Sequence, residues 1–268
     1  MLLVKDGGTN TLSKFLYIGS RKIEAQWHNP GITNRPTLVF MHEGLGCARM
    51  WKDFPKRVSD STGCPSFTFS RFGYGNSDPC SLPWKINFMH TQALNLLPQI
   101  LKQAGIKKYI LIGHSDGGSI GIIFSGSTNT KGLKGLITLA AHVFCEQCSV
   151  DSIKQAKKNY EQKDLKKALQ KYHGSNTDNA FRGWNNAWLN PNFMNWNIEK
   201  YLKKIKVPML AVQGKDDQYG TDKQIAPIES QVNSIGSFLL DNCRHSPHLD
   251  QPEAVLKIMT KFIHQIIE

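Results

Sequence analysis

Cysteine is scarce in this sequence: six residues in 268, too few for a disulfide scaffold in a chain whose length needs none. That scarcity points to a reducing, cytoplasmic home. One pair, Cys145 and Cys148, has C-x-x-C spacing, but no second pair or His pair follows at ligand distance. Two small half-buried residues after a strand are expected there, and no metal or cofactor. Long apolar runs are missing too. Leu2 to Val4 is cut off by Lys5 and Asp6, and nowhere do about 18 apolar residues run together, which argues against a membrane span or a signal peptide. Acidic residues are few, 21 against 33 Lys plus Arg, for a net charge of +12. With 40% hydrophobic and 20% charged residues the composition is nevertheless globular, which excludes disorder for the bulk of the chain.

Short β-rich runs alternate with helical patterns, as βαβ units and a mostly parallel sheet require. Phe15 to Ile18 and Lys22 to Trp27 read as a hairpin. Thr37 to Met41, Ser66 to Phe69, Tyr109 to Gly113, Leu133 to Ala141, Val207 to Val212 and Ser237 to Leu240 read as strands. Leu94, Leu97, Leu101 and Ala104 recur at helical spacing, as do Val255, Ile258, Phe262 and Ile266. Residues 143–206 break the rhythm. They hold no strand-like run, a lysine-rich helical pattern over Ile153 to Tyr172, and Trp184, Trp188 and Trp196, which are spaced for a semi-apolar lid. The segment from Asp151 to Lys206 carries +7 of the net charge. The expected organisation is a core in two parts, 1–142 and 207–268, with 143–206 inserted between two strands.

The chemistry begins at Gly113-His114-Ser115-Asp116-Gly117-Gly118. A G-x-S-x-G pattern alone is weak, but here it follows an apolar strand and precedes a helix-like run, as a strand-to-helix elbow requires. The elbow glycines, Gly113 and Gly117, let the backbone turn sharply and set the Ser115 hydroxyl at the sheet edge. No Lys follows the glycines, so a phosphate-binding P-loop fails. A serine needs a base and a carboxylate to orient it. Lys215-Asp216-Asp217 follows one later strand, and Asp241-Asn242-Cys243-Arg244-His245-Ser246-Pro247-His248 follows another. The order Ser, Asp, His, each just past a strand, differs from the orders of chymotrypsin and subtilisin.

Along essentially the whole chain the sequence resembles the α/β-hydrolase fold family. Phe40-Met41-His42-Glu43-Gly44-Leu45-Gly46 is similar to that family's oxyanion loop. Ser70-Arg71-Phe72-Gly73-Tyr74-Gly75-Asn76-Ser77 resembles its R-x-G-x-G-x-S turn. Gly113 to Gly118 resembles its nucleophile elbow, Gly214-Lys215-Asp216-Asp217 its acid turn, and His245-Ser246-Pro247-His248 with Gln251-Pro252-Glu253 its histidine loop. The resemblance implies an eight-stranded, mostly parallel sheet with helices on both faces. It also implies Ser115 as nucleophile, His245 as general base and then acid, Asp217 as the orienting acid, and a helical cap over residues 143–206. Three positions depart from the family's pattern. Glu43 stands where a Gly usually follows the histidine, and Arg244 replaces the Gly that commonly precedes His245. Asp216 and Asp217 are adjacent, and the family's turn spacing favours Asp217.

The oxyanion donors are assigned to the backbone N–H groups of Gly44 and Asp116, with Leu45 as the alternative for the first. Leu45, Trp184 and Trp188 are candidate pocket residues. His42 is expected to brace its loop, His114 to point away from Ser115, and His248 to hydrogen-bond behind the site. His90, His142, His173 and His264 have no spacing consistent with metal ligation. The expected activity is acyl transfer on a small-molecule ester or thioester, as in a carboxylesterase, with a C–C bond hydrolase or an acyl-carrier or CoA thioesterase as alternatives. An anionic substrate, or one carried by an acidic protein, would suit a basic lid rim; the same lysines could instead simply solvate a helix. Two readings from other classes are a non-catalytic hydrolase-fold receptor and a nucleic-acid binder. The second rests on charge alone, without any recognisable binding motif, so no nucleic-acid partner is expected.

Overall fold

The computed structural model describes residues 11–268; the apolar stretch Leu2 to Val4 lies outside them. Eight strands form one sheet: β1 (Thr11–Ile18), β2 (Arg21–His28), β3 (Thr37–Met41), β4 (Ser66–Phe69), β5 (Tyr109–His114), β6 (Leu133–Leu139), β7 (Met209–Gly214) and β8 (Ile235–Leu240). Their spatial order is β1-β2-β4-β3-β5-β6-β7-β8. Strand β2 runs antiparallel to β1 and β4, and every pairing from β4 to β8 is parallel.

Strands β3 and β5 are buried along their whole length, and the two-residue period of the strand sends alternate side chains to opposite faces. Leu38, Phe40, Ile110, Ile112, Leu210 and Val212 pack with α1 (Phe54–Thr62) on one face. Val39, Met41, Leu111, Leu136, Met209 and Ala211 pack against a second set of helices on the opposite face. There α2 (Phe88–Thr91) and α3 (Leu97–Gln103) are joined through a π-type widening at Gln92–Leu96. That widening rotates the expected stripe, so Leu94 is 40% exposed while Ala93, Leu96 and Leu97 are buried.

Two strand limits shift for backbone reasons. Val207 was expected to open β7, but Pro208 has no N–H to donate and the ladder starts at Met209. β6 stops at Leu139 because Ala140 has φ of 51°.

Helix α4 (Asp116–Ser125) follows β5 after one residue and is buried throughout. The polypeptide between β6 and β7 holds α5 (Gln147–Gln162), α6 (Leu165–His173) and α7 (Thr177–Trp188). The single lysine-rich pattern expected over Ile153 to Tyr172 is thus two helices, parted at Lys163, whose backbone is extended. The base of this segment is closed on itself. Phe144 and Asn197 form an antiparallel bridge, Ile198 N–H donates to the Val143 carbonyl at 2.7 Å, and Cys145 N–H donates to the Trp196 carbonyl at 3.1 Å. Cys145 is buried and Cys148 half-buried, both as free thiols. The chain then continues through α8 (Ile225–Gln231), α9 (Pro247–Asp250) and α10 (Pro252–Ile267). Helix α10 joins α1 on its face through Val255, Met259 and Ile263.

The elbow between β5 and α4 leaves no room for side chains. A Cβ on Gly113 would lie 2.3 Å from the Gly117 carbonyl oxygen, and one on Gly117 would lie 2.1 Å from the Met41 carbonyl oxygen. Because both obstacles are backbone, Gly117→Ala is expected to lower unfolding free energy in urea by about 1–3 kcal/mol; an unchanged midpoint would mean that the elbow relaxes freely.

Candidate functional site

Parallel strands β3, β5, β6, β7 and β8 deliver their C-terminal ends to one edge, and the loops that leave them converge there. Ser115 sits between β5 and α4 with φ of 52° and ψ of −119°, a strained conformation for a residue with a side chain. Its N–H is anchored by the Leu139 carbonyl at 2.9 Å. The loop after β8 brings His245 over it, with Nε2 2.9 Å from Ser115 Oγ. The turn after β7 brings Asp217, both of whose carboxylate oxygens lie 2.9 Å from His245 Nδ1.

Asp217, rather than its neighbour, faces the imidazole; Asp216 is exposed. The Asp217 side chain is 1% exposed and accepts two further hydrogen bonds, from Gln213 Nε2 at 2.7 Å and Tyr219 N–H at 2.8 Å. Burial by itself would raise its pKa, but the hydrogen bond and charge of His245 and the Tyr219 N–H outweigh it and hold the carboxyl below its usual range. Gln213, the penultimate residue of β7, went unnoticed in the sequence because a strand glutamine has no motif to mark it.

The oxyanion loop is held from several sides. His42 Nδ1–H and Arg71 Nη2 both donate to the Glu43 carbonyl, at 2.8 and 3.0 Å. Arg71 Nη1 donates to the His42 carbonyl at 3.0 Å, and His42 Nε2 accepts the Arg71 N–H at 3.1 Å. Tyr74 donates its hydroxyl to the Gly44 carbonyl at 2.9 Å. From the helical segment, His173 donates Nε2–H to the Leu45 carbonyl at 2.9 Å and accepts the Gly75 N–H at 3.0 Å. His42 therefore braces its loop as expected. The Leu45 N–H is engaged by the Glu43 carboxylate, which separates the two candidate donors and leaves Gly44 as the better placed. A Cβ at Gly44 would lie 2.2 Å from the Trp184 ring, so the loop and α7 touch there only because that position is glycine.

A cavity of about 240 Å³ opens over Ser115, lined by Leu45, Trp184 and Trp188 as expected, and also by Glu43, His142 and Tyr219. Trp188 donates Nε1–H to Asp116 Oδ1 at 3.1 Å. Asp116 is fully buried, its Oδ2 has no partner, and burial pushes its pKa up to about 6 against the opposing pull of Arg71. Trp196, expected on the lid surface, instead stacks on Phe193 at 5.3 Å and does not line the cavity. The basic rim does not reach this lining either: among the described residues no Lys or Arg belongs to it.

Two further histidines differ from expectation. His114 does not simply turn away from the site: its ring lies 5.2 Å from that of His245, and its Nε2–H donates to the His245 carbonyl at 2.6 Å, bracing the histidine loop. His248 makes no hydrogen bond through its buried Nδ1; it packs on Trp51 at 4.6 Å and Phe54 at 5.6 Å. His142, whose spacing in the sequence fits no metal site, has its ring 5.1 Å from Trp188 and 5.7 Å from His245.

Burial, helped by the nearby His245, lowers the pKa of His142 to about 4 and that of His248 to about 3. Unfolded histidines titrate near 6.5, so below that pH the unfolded chain binds more protons and stability falls until the folded values are reached. Between pH 7 and pH 5 His248 alone should account for about 2 kcal/mol of lost unfolding free energy. His248→Phe, which keeps the aromatic packing, is expected to remove that share of the acid sensitivity in urea titrations at the two pH values. An unaltered pH dependence would show that His248 takes up its proton as readily in the fold as in the unfolded chain.

The model of the alpha/beta hydrolase family matches residues 38–258. Among solved structures, 2-hydroxy-6-oxo-6-phenylhexa-2,4-dienoate hydrolase from Rhodococcus sp. strain RHA1 is 11% identical with a TM-score of 0.79, covering 96% of this chain and 99% of its own. Proline iminopeptidase from Mycobacterium smegmatis is 17% identical with a TM-score of 0.70, over 96% and 99%. Naproxen esterase from Bacillus subtilis is 16% identical with a TM-score of 0.71, over 95% and 92%. No curated protein matches the sequence. At these identities the structural likenesses speak for the fold alone, whereas the family match spans most of the sequence, including all three members of the Ser115–His245–Asp217 hydrogen-bond chain: the protein belongs to the alpha/beta hydrolase family.

Proposed function

We propose that the protein is a serine hydrolase that cleaves small esters by acyl transfer. The observation that carries this reading is the unbroken hydrogen-bond chain from Ser115 Oγ through His245 to Asp217, each link 2.9 Å long. His245 Nε2 takes the Ser115 proton as Oγ attacks the substrate carbonyl carbon, and Asp217 holds the Nδ1–H tautomer and offsets the imidazolium charge. The tetrahedral oxyanion accepts from the N–H groups of Gly44 and Asp116, the second at the N-terminus of α4 where the helix dipole adds to it. Collapse expels the alcohol, protonated by His245, and leaves an acyl-enzyme. Water, deprotonated by the same imidazole, then releases the acid.

Arg71 acts on the oxyanion site without touching substrate. In a trans peptide the C=O and N–H point in opposite directions, so the two donors on the Glu43 carbonyl aim the Gly44 N–H the other way. Arg71 is thus a positioning residue. Helices α5 to α7 serve as a cap whose Trp184 and Trp188 close the cavity. A space of about 240 Å³ equals the liquid volume of roughly eight waters, which favours short acyl groups. The lack of cationic lining disfavours a thioester whose phosphates would enter the cavity.

With p-nitrophenyl acetate, Ser115→Ala should lower kcat/KM by about 10³-fold or more and Asp217→Asn by a similar factor, while Asp216→Asn stays near wild type. Activity that survived Ser115→Ala would refute acyl transfer through this serine. Across p-nitrophenyl esters of graded length, kcat/KM should fall beyond short acyl chains. Arg71→Lys should reduce kcat about tenfold with KM little changed, because the misaimed donor acts mainly in the transition state; a loss confined to KM would remove Arg71 from this role.

A further inference from the structure

The cavity over Ser115 is lined by a carboxylate inside a basic protein, one whose pKa burial raises against the opposing pull of the Leu45 N–H, His245 and Arg71. Glu43 is the one carboxylate in its lining, and no Lys or Arg accompanies it there among the described residues. Two of the lining histidines offer little positive charge, since burial keeps His114 well below its usual pKa and lowers that of His142 to about 4. Of the Glu43 carboxylate oxygens, Oε2 accepts the Leu45 N–H, while Oε1 accepts no hydrogen bond among the described residues. Arg71, the nearest cation, lies beneath the loop, 3% exposed, with its guanidinium committed to two backbone carbonyls. Three aromatic side chains, Trp184, Trp188 and Tyr219, line the same space.

A carboxylate beside the oxyanion donor opposes the negative charge that acyl transfer develops. A positive group on the substrate would cancel that penalty, and it would meet the Glu43 carboxylate and aromatic rings, the combination that recognises ammonium ions. We infer that the substrate carries a cationic amine or quaternary ammonium group, seated against Glu43 and the aromatic wall. This deepens the hydrolase reading and rests on it. The lining that disfavours anionic acyl donors thus favours their opposite, in a space of about 240 Å³.

Acetylcholine and 3,3-dimethylbutyl acetate have the same shape and differ by a positive nitrogen in place of a carbon, so the ratio of their kcat/KM values isolates charge and does not depend on the fraction of folded enzyme. The wild type is expected to favour the cation by about tenfold or more. Glu43→Gln, which keeps an acceptor for the Leu45 N–H, should bring the ratio close to one. A second readout avoids chemistry: tetramethylammonium chloride should bind the Ser115→Ala protein in calorimetry and lose that binding when Glu43→Gln is added. Hydrolysis of both esters at equal efficiency by the wild type would overturn the charge preference and leave the hydrolase reading standing. Glu43-dependent binding without hydrolysis of either ester would overturn the hydrolase reading and support the cation site. Neither hydrolysis nor binding would overturn both.

Discussion

The imidazole of His245 is the group on which the geometry of the site turns, because it is satisfied on both nitrogens by side chains from two other loops. Ser115 comes from the end of β5 and Asp217 from the turn after β7, with β6 between those strands in the sheet. Only a parallel arrangement puts the ends of β5, β7 and β8 on one edge, and only full burial of β5 and β7 makes their ends rigid enough to hold 2.9 Å contacts. The hydrophobic sorting of alternate residues to two helical layers therefore sets the distance between a hydroxyl and a carboxylate 102 positions apart in sequence. Gln213 and the Tyr219 N–H extend the same logic outward. By filling the remaining acceptor positions of Asp217 they leave its charge directed at one partner.

The loop between β3 and α1 obeys a different constraint. It has no regular secondary structure across residues 42–46, yet its carbonyls at 42, 43, 44 and 45 each accept from a side chain. Those donors come from the turn after β4 and from α6, so the loop is clamped between the sheet and the helical segment. His173 spans both, taking the Gly75 N–H on one nitrogen and reaching the Leu45 carbonyl with the other. Such a residue performs its role only as a neutral imidazole, and burial lowers its pKa accordingly. Movement of the helical segment is thereby coupled to the conformation of the loop that carries the proposed oxyanion donor.

Much of this was legible in the sequence where chemistry is local. The G-x-S-x-G elbow, the strand-then-acid and strand-then-histidine segments and their chain order involve neighbouring residues, so spacing exposes Ser115 and the two later segments, the family resemblance singles out Asp217 and His245 within them, and the structure brings the three within hydrogen-bond distance. The central strands were readable because a buried strand is a short apolar run. What stayed hidden depends on contacts between distant segments. Nothing near Gln213, His173 or His142 shows that each faces its partner across the fold. The role of His248 was misread because a buried imidazole packed among aromatics looks, in sequence, the same as one that hydrogen-bonds. The widening at Gln92–Leu96 was invisible because it leaves the apolar composition unchanged while rotating the stripe.

Net charge says little about the cavity, and the reason is geometric. Helices α5 and α6 bury Ile153, Ala156, Tyr160 and Leu169 and send their lysines outward, where Lys154, Lys157, Lys158, Lys163, Lys166, Lys167 and Lys171 are all exposed. Fully solvated charges on the far side of a helix are screened beyond about 8 Å at physiological salt. The cavity is governed by what lines it, namely one carboxylate, aromatic rings, and His114 and His142, whose pKa values burial lowers. A single partly desolvated acid next to the reacting centre outweighs a larger number of screened cations outside it. Net charge accordingly describes how this protein meets solvent, while Glu43, the position that departs from the family's usual glycine, carries the proposed cation preference of the cavity.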